Sequence, residues 1–291
     1  MPLSGSPTVR RRRLAAELRK LRGNRKGGEV ARAIGWSASK ISRAESGRES
    51  LPPSEIEKLI DYYGVADPMR GRLLELAEDA IQPGWWEDYA DTLAPAYMEF
   101  IGLEAEAVSS LQWQADAIPG LLQTEDYARQ IGIAYQHIVP TIPPSILERS
   151  LRVRMLRQER LVREPALQLS VILDEAVLLR RVGDATIMNA QLIRLVEAAE
   201  MPNVDVRVLP LSQNSGLIYG SFVIMRFGSQ EAPESGLGDV VSTESLATEM
   251  YVEGETDTYL YSIYFDSLKK SALSPVDSHH LIMSIADRIW R

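Results

Sequence analysis

The sequence predicts an α+β protein: an all-helical module over residues 1–82, then a larger domain over 83–291 that is helical to residue 164 and mixed α/β beyond it. Three observations carry this. At 291 residues the chain is about twice the length of a typical domain, and 45% hydrophobic composition is enough to bury a core in each part. Through the first 80 residues apolar side chains recur at helical spacing, with no run that alternates. After Pro165 the texture changes to short apolar runs such as LQLSVIL and VDVRVLP, separated by helical stretches.

Taken in order, Leu14, Leu18 and Leu21 recur at i, i+4 and i+7 among arginines and lysines, so an amphipathic first helix is expected from Thr8 to Arg22. A second is expected from Gly28 to Ile34. A third begins after Gly35-Trp36 with Ser37 as N-cap, its hydroxyl accepting a first-turn N–H. A fourth, SEIEKLIDYY, stops at Gly64, and a fifth opens on Asp67-Pro68 with proline at the first helical position. Between the second and third helices the spacing is informative. Ala31 is small where two helices must cross closely, and Gly35 can take the left-handed conformation that a tight turn needs. Val30, Ile34, Trp36, Ile41 and Ala44 fall where such a pair shares a core. The opposite strip of the third helix then carries Ser39, Ser42, Arg43 and Ser46 with Lys40 beside them, while Ala38, Ile41 and Ala44 are expected inside. Short hydroxyls and cations suit base edges and phosphates in a major groove.

Charge agrees with that chemistry. Residues 1–66 hold 14 Lys+Arg against 7 Asp+Glu, a net of +7, and the remainder holds 18 against 33, a net of -15. A basic module on an acidic body is the pattern of a nucleic-acid-binding head. Arg25 and Lys26 add charge at the start of the second helix, where Gly27 and Gly28 let backbone N–H groups approach a phosphate. The run Arg10 to Arg13 reads equally as a solvated helix face or as a phosphate-contacting arm.

These residues, GGEVARAIGWSASKISRAESGR with the trailing Glu45, Gly47 and Arg48, resemble an Xre-family, lambda-repressor-like helix-turn-helix over about residues 10–65. The resemblance implies a DNA-binding domain within 1–82 whose third helix reads the major groove, and dimers on an inverted repeat of double-stranded DNA. It places base contacts on Ser39, Lys40, Ser42 and Arg43, beside the N-cap Ser37, and a phosphate contact on Arg48. One departure is that the family's Thr/Ser cap and Gln at the second helix are replaced here by Lys26-Gly27-Gly28. Glycine in helical interior costs about 1 kcal/mol.

In the second part, helices are expected over AYMEFIGLEAEAVSSLQ, TEDYARQIGIAY with Thr124 as N-cap, and the arginine-rich SILERSLRVRMLRQERLVRE. Strands are expected at LQLSVIL, VDVRVLP, GSFVIMRF, DVVSTES and TEMYVEG, with helices near 185–200 and 256–272. The segments IPGLLQTEDYAR, LDEAVLLRRVG, LVEAAEMPNVDVRVLP and MYVEG resemble the domain of unknown function that accompanies Xre modules in actinobacterial, WhiJ-like regulators, some of them antitoxin-like. That resemblance covers residues 85–287 and implies a regulatory and dimerisation domain, a homodimer, and a small acidic partner protein. The element order from 185 to 272 is also similar to a phospholipase-D-like half domain, whose active members need a lysine two residues after a histidine; His137, His279 and His280 have none.

With no cysteine and three histidines the chain has no thiolate site and no evident metal site. No Gly-rich phosphate loop, G-x-S-x-G or H-E-x-x-H occurs, so no cofactor and no catalytic residue are expected. Carboxylates at Asp174, Glu175, Glu244, Glu249, Glu253 and Glu255 lie near strand ends without a spacing that forces any two together. The aromatics Trp85, Trp86, Tyr89 and Trp113, with Tyr97, are candidates for a ligand pocket or for core packing. The segment after the basic run is charged, which does not fit an export signal, and no stretch approaches the roughly 18 apolar residues of a membrane span, so a cytoplasmic location is expected. The expectation is a homodimeric, sequence-specific transcription regulator that senses a small ligand or a small partner protein; the alternative is a small-molecule-processing enzyme with an appended DNA-binding head.

Overall fold

The computed structural model describes residues 9–47, 51–138, 143–213, 218–227, 238–245 and 248–291. The described residues fall into two compact units, one up to Glu106 and one from Ala107 onward.

The first unit is all helical: α1 (Val9–Arg22), α2 (Gly27–Ala33), α3 (Ala38–Glu45), α4 (Pro53–Tyr63), α5 (Met69–Ala80), a 3-10 turn at Trp85–Tyr89, and α6 (Pro95–Glu106). Its core is built from Leu14, Leu18, Val30, Ile41, Ile56, Ile60 and Leu73, so each of the first five helices contributes its apolar stripe. Glycines set two of the stops. Gly35 (φ +74°) follows α2, and the Trp36 N–H closes back on the Ala31 carbonyl at 2.7 Å; Gly64 (φ +69°) ends α4 in the left-handed region. At the start of α5 the expectation shifts by one residue, because Pro68 is the N-cap and the helix begins at Met69.

The second unit is a six-stranded mixed sheet in the order β3-β2-β1-β4-β5-β6. Its strands are β1 (Ser109–Gln114), β2 (Gln168–Asp174), β3 (Val204–Leu209), β4 (Phe222–Arg226), β5 (Val240–Glu244) and β6 (Glu249–Val252). β1, β2 and β3 run parallel, whereas β4, β5 and β6 add antiparallel. The helices are α7 (Glu125–Ile138), α8 (Pro144–Arg157), α9 (Glu175–Leu179), α10 (Ala185–Ala199), α11 (Glu255–Ser271) and α12 (Pro275–Ile289). Phe265 and Leu268 of α11 join Trp113, Ile172, Phe222, Ile224 and Val241 in one core, so α11 lies across one face of the sheet. The overall class is α+β, as expected.

Two corrections concern the second part. The stretch expected as one helix from Ala96 breaks at Glu106, and β1 lies inside the region expected to be helical to residue 164. The strand does alternate, Leu111 and Trp113 against Ser110 and Gln112, but its second face is polar. Ser110 and Gln112 are buried and satisfy each other by a 3.0 Å hydrogen bond, so no apolar run announces the strand. The helix α12, capped by Ser274, lies beyond every helix expected from the sequence.

Candidate nucleic-acid interface

The site is built on α2 and α3. Ser37 caps α3 as expected, its Oγ accepting from the Lys40 N–H at 3.2 Å. Ile41 and Ala44 are buried with Val30 and Ala31 of α2, which fixes the rotation of α3 about its axis. Ser39, Ser42, Arg43 and Ser46 are all exposed on the opposite strip. Ala38 is exposed with them instead of inside, because at the first turn α3 has only begun to meet the core. Ser39 shares a 3.0 Å hydroxyl contact with Ser37, and the Ser46 hydroxyl donates to the Arg43 carbonyl at 3.1 Å.

The other candidates divide. Lys40 is partly buried: its Nζ lies 2.6 Å from Glu55 of α4 and 4.4 Å from the centroid of the Trp36 ring. Its charge is therefore spent on tying α3 to α4. Arg25 is exposed, donates to the Leu21 carbonyl at 3.1 Å and stacks over the Tyr63 ring at 5.7 Å, so it closes the end of α1 while staying at the surface. Lys26 is exposed and serves as the N-cap of α2 through its backbone only. Arg48 lies outside the described residues.

Two residues that the sequence reading named only as trailing positions of the motif brace α3. Glu45 is buried at the end of α3, where both its carboxylate oxygens accept from Arg22 Nε, at 2.7 and 3.0 Å. Its own carbonyl accepts from Arg19 at 2.6 Å. Gly47 (φ +68°) follows it in the left-handed region that favours glycine, and a Cβ there would lie in ordinary contact, 3.5 Å, with the Arg11 and Arg12 backbone of α1. Beside this knot the Tyr63 hydroxyl is buried with no hydrogen-bond partner among the described residues, and burial first, then the Glu45 charge, pushes its pKa up to about 12. The basic run of α1 is taken up within the unit: Arg10 pairs with Glu106 at 3.4 Å, Arg11 with Glu87 at 3.4 Å, and Arg12 with Glu99. Burial raises the Glu106 pKa, with Arg10 and Arg13 opposing it.

The aromatic set does not assemble as one pocket. Trp85 meets Trp86 and Tyr89 edge-to-face, at 5.9 and 6.3 Å between ring centroids. Trp86 is buried against Gly84 and Gly102, and a Cβ at Gly84 would sit 2.3 Å from its ring. Trp113 is instead fully buried in the core beneath α11, its indole N–H donating to the Tyr219 carbonyl at 2.9 Å. Both tryptophans fill space that a ligand would need. In the second unit an open groove of about 520 Å³ is lined by Arg207, Asp266, Lys269, Lys270, Ala272 and Ser274. Arg207 and Lys269 both reach Asp205 there, at 3.1 and 2.9 Å.

Among the carboxylates, Asp174 caps α9 and Glu175 accepts from the Leu211 N–H at 2.8 Å. Glu244 and Glu249 are register partners on β5 and β6. Glu249 accepts from Ser242 at 2.7 Å, and its pKa is raised, chiefly by burial. Among the described residues no group of three or more His, Asp or Glu could hold a metal ion, and no helix is long and apolar enough to cross a membrane.

Comparison with known families decides the assignment. A family model described as a domain of unknown function (DUF5753) matches residues 97–284. The chain belongs to this family. A second model, described as a helix-turn-helix domain, matches residues 13–73, so the DUF5753 region follows a helix-turn-helix that contains the α2–α3 pair. No curated protein and no solved structure matches the chain. The helix-turn-helix points to a DNA-binding regulator rather than an enzyme.

Proposed function

We propose that this DUF5753 protein is a sequence-specific transcription regulator that reads duplex DNA with α3. The observation that carries the reading is the exposed strip Ser39, Ser42, Arg43 and Ser46 on a helix whose opposite side is anchored by Ile41 and Ala44. Ser39, Ser42 and Arg43 take the base edges, and Ser37, Arg25, Lys26 and Arg48 take the backbone phosphates. Lys40, paired with Glu55, orients α3 rather than reading a base. The second unit dimerises, so the operator is an inverted repeat. It also receives a signal, a small ligand or a small acidic partner protein, which biases the spacing of the two reading heads. In this reading the chain is a WhiJ-like, antitoxin-like member of the Xre family, for which a protein partner is expected, and it works in the cytoplasm.

Selection from random duplex DNA with the purified chain tests this. An enriched inverted repeat is expected. Arg43→Ala and Ser39→Ala should each relax preference at one or two base positions, by on the order of 1–3 kcal/mol for a good contact. Enrichment of no sequence, or an unchanged motif in both variants, refutes the assignment.

A further inference from the structure

We propose that α11 is the dimer seam, pairing antiparallel with α11 of a second copy across a two-fold axis near Ile263. This rests on the homodimer reading above and names the surface that makes it. α11 turns Thr258, Phe265 and Leu268 to the sheet. On the opposite side Tyr259, Leu260 and Ile263 are 63%, 60% and 49% exposed. Three large apolar side chains within five residues, on a helix whose inner face is already satisfied, form a contiguous patch that needs a cover.

The charges around the patch say what covers it. Glu255, exposed, opens the helix, and Lys270, exposed, closes it; Tyr259 and Asp266 lie between them on the outward side. Among the described residues none of these four side-chain tips has a hydrogen bond or ion pair, whereas the neighbouring Lys269 is held by Asp205 at 2.9 Å. One antiparallel register matches all four at once. Glu255 of each copy then meets Lys270 of the other, and the Tyr259 hydroxyl meets Asp266. Ile263 packs beside its symmetry mate at the axis. A two-fold contact must be self-complementary, and a helix acidic at its start, basic at its end and apolar in the middle has that property only when paired antiparallel. The 17 residues of α11 supply a seam of about 25 Å.

The chain's lack of cysteine makes the test direct. In the full-length Ile263→Cys variant the only thiol sits at the axis, and mild oxidation is expected to give a disulfide-linked dimer in high yield. Val276→Cys, exposed on α12, should stay monomeric under the same conditions. By sedimentation, Leu260→Asp should raise the dimer dissociation constant by on the order of 100-fold. Glu255→Lys and Lys270→Glu should each weaken the dimer, while an equimolar mixture of the two restores it, because each foreign charge then faces its opposite. A dimer that survives Leu260→Asp and is not crosslinked through residue 263 overturns the seam and leaves the homodimer reading standing. A chain monomeric at every concentration overturns both and returns the patch to a different partner protein. DNA selection with the monomeric Leu260→Asp variant keeps the question of operator reading separate, since a half-site motif is expected from it.

Discussion

Replacing Glu45 tests whether α3, the proposed reading helix, is held by charge or by packing alone. The carboxylate lies at the end of α3 with its side chain 10% exposed, and its partner Arg22 at the end of α1 is 23% exposed. Removing one member of a fully buried pair costs about 3–5 kcal/mol, whereas exposed pairs contribute about 0–1 kcal/mol. With solvent reaching Arg22, Glu45→Gln falls between these limits, at about 1–3 kcal/mol. The neutral amide keeps the volume and one acceptor, but leaves the guanidinium with the Arg25 carbonyl as its main partner, at 2.6 Å. Urea unfolding of the full chain, followed by amide exchange in α1 and α3, reads this unit by itself. A double-mutant cycle with Arg22→Met isolates the pair, and a coupling of about 1 kcal/mol or more is expected. Because Glu45 also sets where α3 ends, operator affinity should fall in Glu45→Gln while the selected motif stays the same. Additivity within about 0.3 kcal/mol, or a changed motif, would show that Glu45 does not act by positioning.

Two further outcomes follow from buried polar groups. Tyr63→Phe should stabilise the first unit by about 1 kcal/mol in the same exchange measurement, because it removes a buried hydroxyl with no partner while keeping the ring under Arg25; a loss of stability would mean that the hydroxyl is bonded in solution. In the second unit burial pushes the Asp205 carboxyl up, but Lys269 and Arg207 outweigh it and hold the pKa below its ordinary value. A depressed folded-state pKa gives stability that is present above the unfolded value of about 4 and drains away as pH falls through the folded one. Wild type and Asp205→Asn should therefore differ in unfolding midpoint at pH 6 and converge towards pH 2, and parallel curves would refute the cluster.

Legibility in the sequence followed how local the determining physics was. The α2–α3 unit was readable because its determinants lie within 20 residues: small Ala31, left-handed Gly35, the Ser37 cap and the Ile41–Ala44 stripe all stand where the spacing puts them. Lys40 was legible as an outward cation, but not as the partner of Glu55, which lies 15 residues on in another helix. The Glu45–Arg22 knot spans 23 residues, so Glu45 could be recognised only as a motif letter. The strand β1 was hidden because four of its six residues, Ser109, Ser110, Gln112 and Gln114, are polar, and the buried Ser110 and Gln112 are bonded to each other, a compensation that appears only once the strand is formed. Trp113 shows the same limit, since an aromatic in a helix-like stretch reads as a pocket wall until strand pairing turns it into the core.

The charge split takes on a different meaning once the units are known. Residues 1–66 carry +7, yet residues 1–106 hold 16 Lys+Arg against 17 Asp+Glu, so the N-terminal helical segment as a whole is nearly neutral. The acids that neutralise it include Glu87, Glu99 and Glu106, which hold the basic run of α1. Part of the positive charge that looks destined for phosphate is thus spent on fastening α1, the helix against which Glu45 holds α3. A near-neutral segment gains little from long-range attraction to DNA, so the proposed phosphate contacts rest on the few cations on the α2–α3 side. On the proposed reading, discrimination between sequences depends on how rigidly the Ser39–Ser46 strip is presented, and the Arg22–Glu45 pair, which is also neutralised within the unit, contributes to that rigidity.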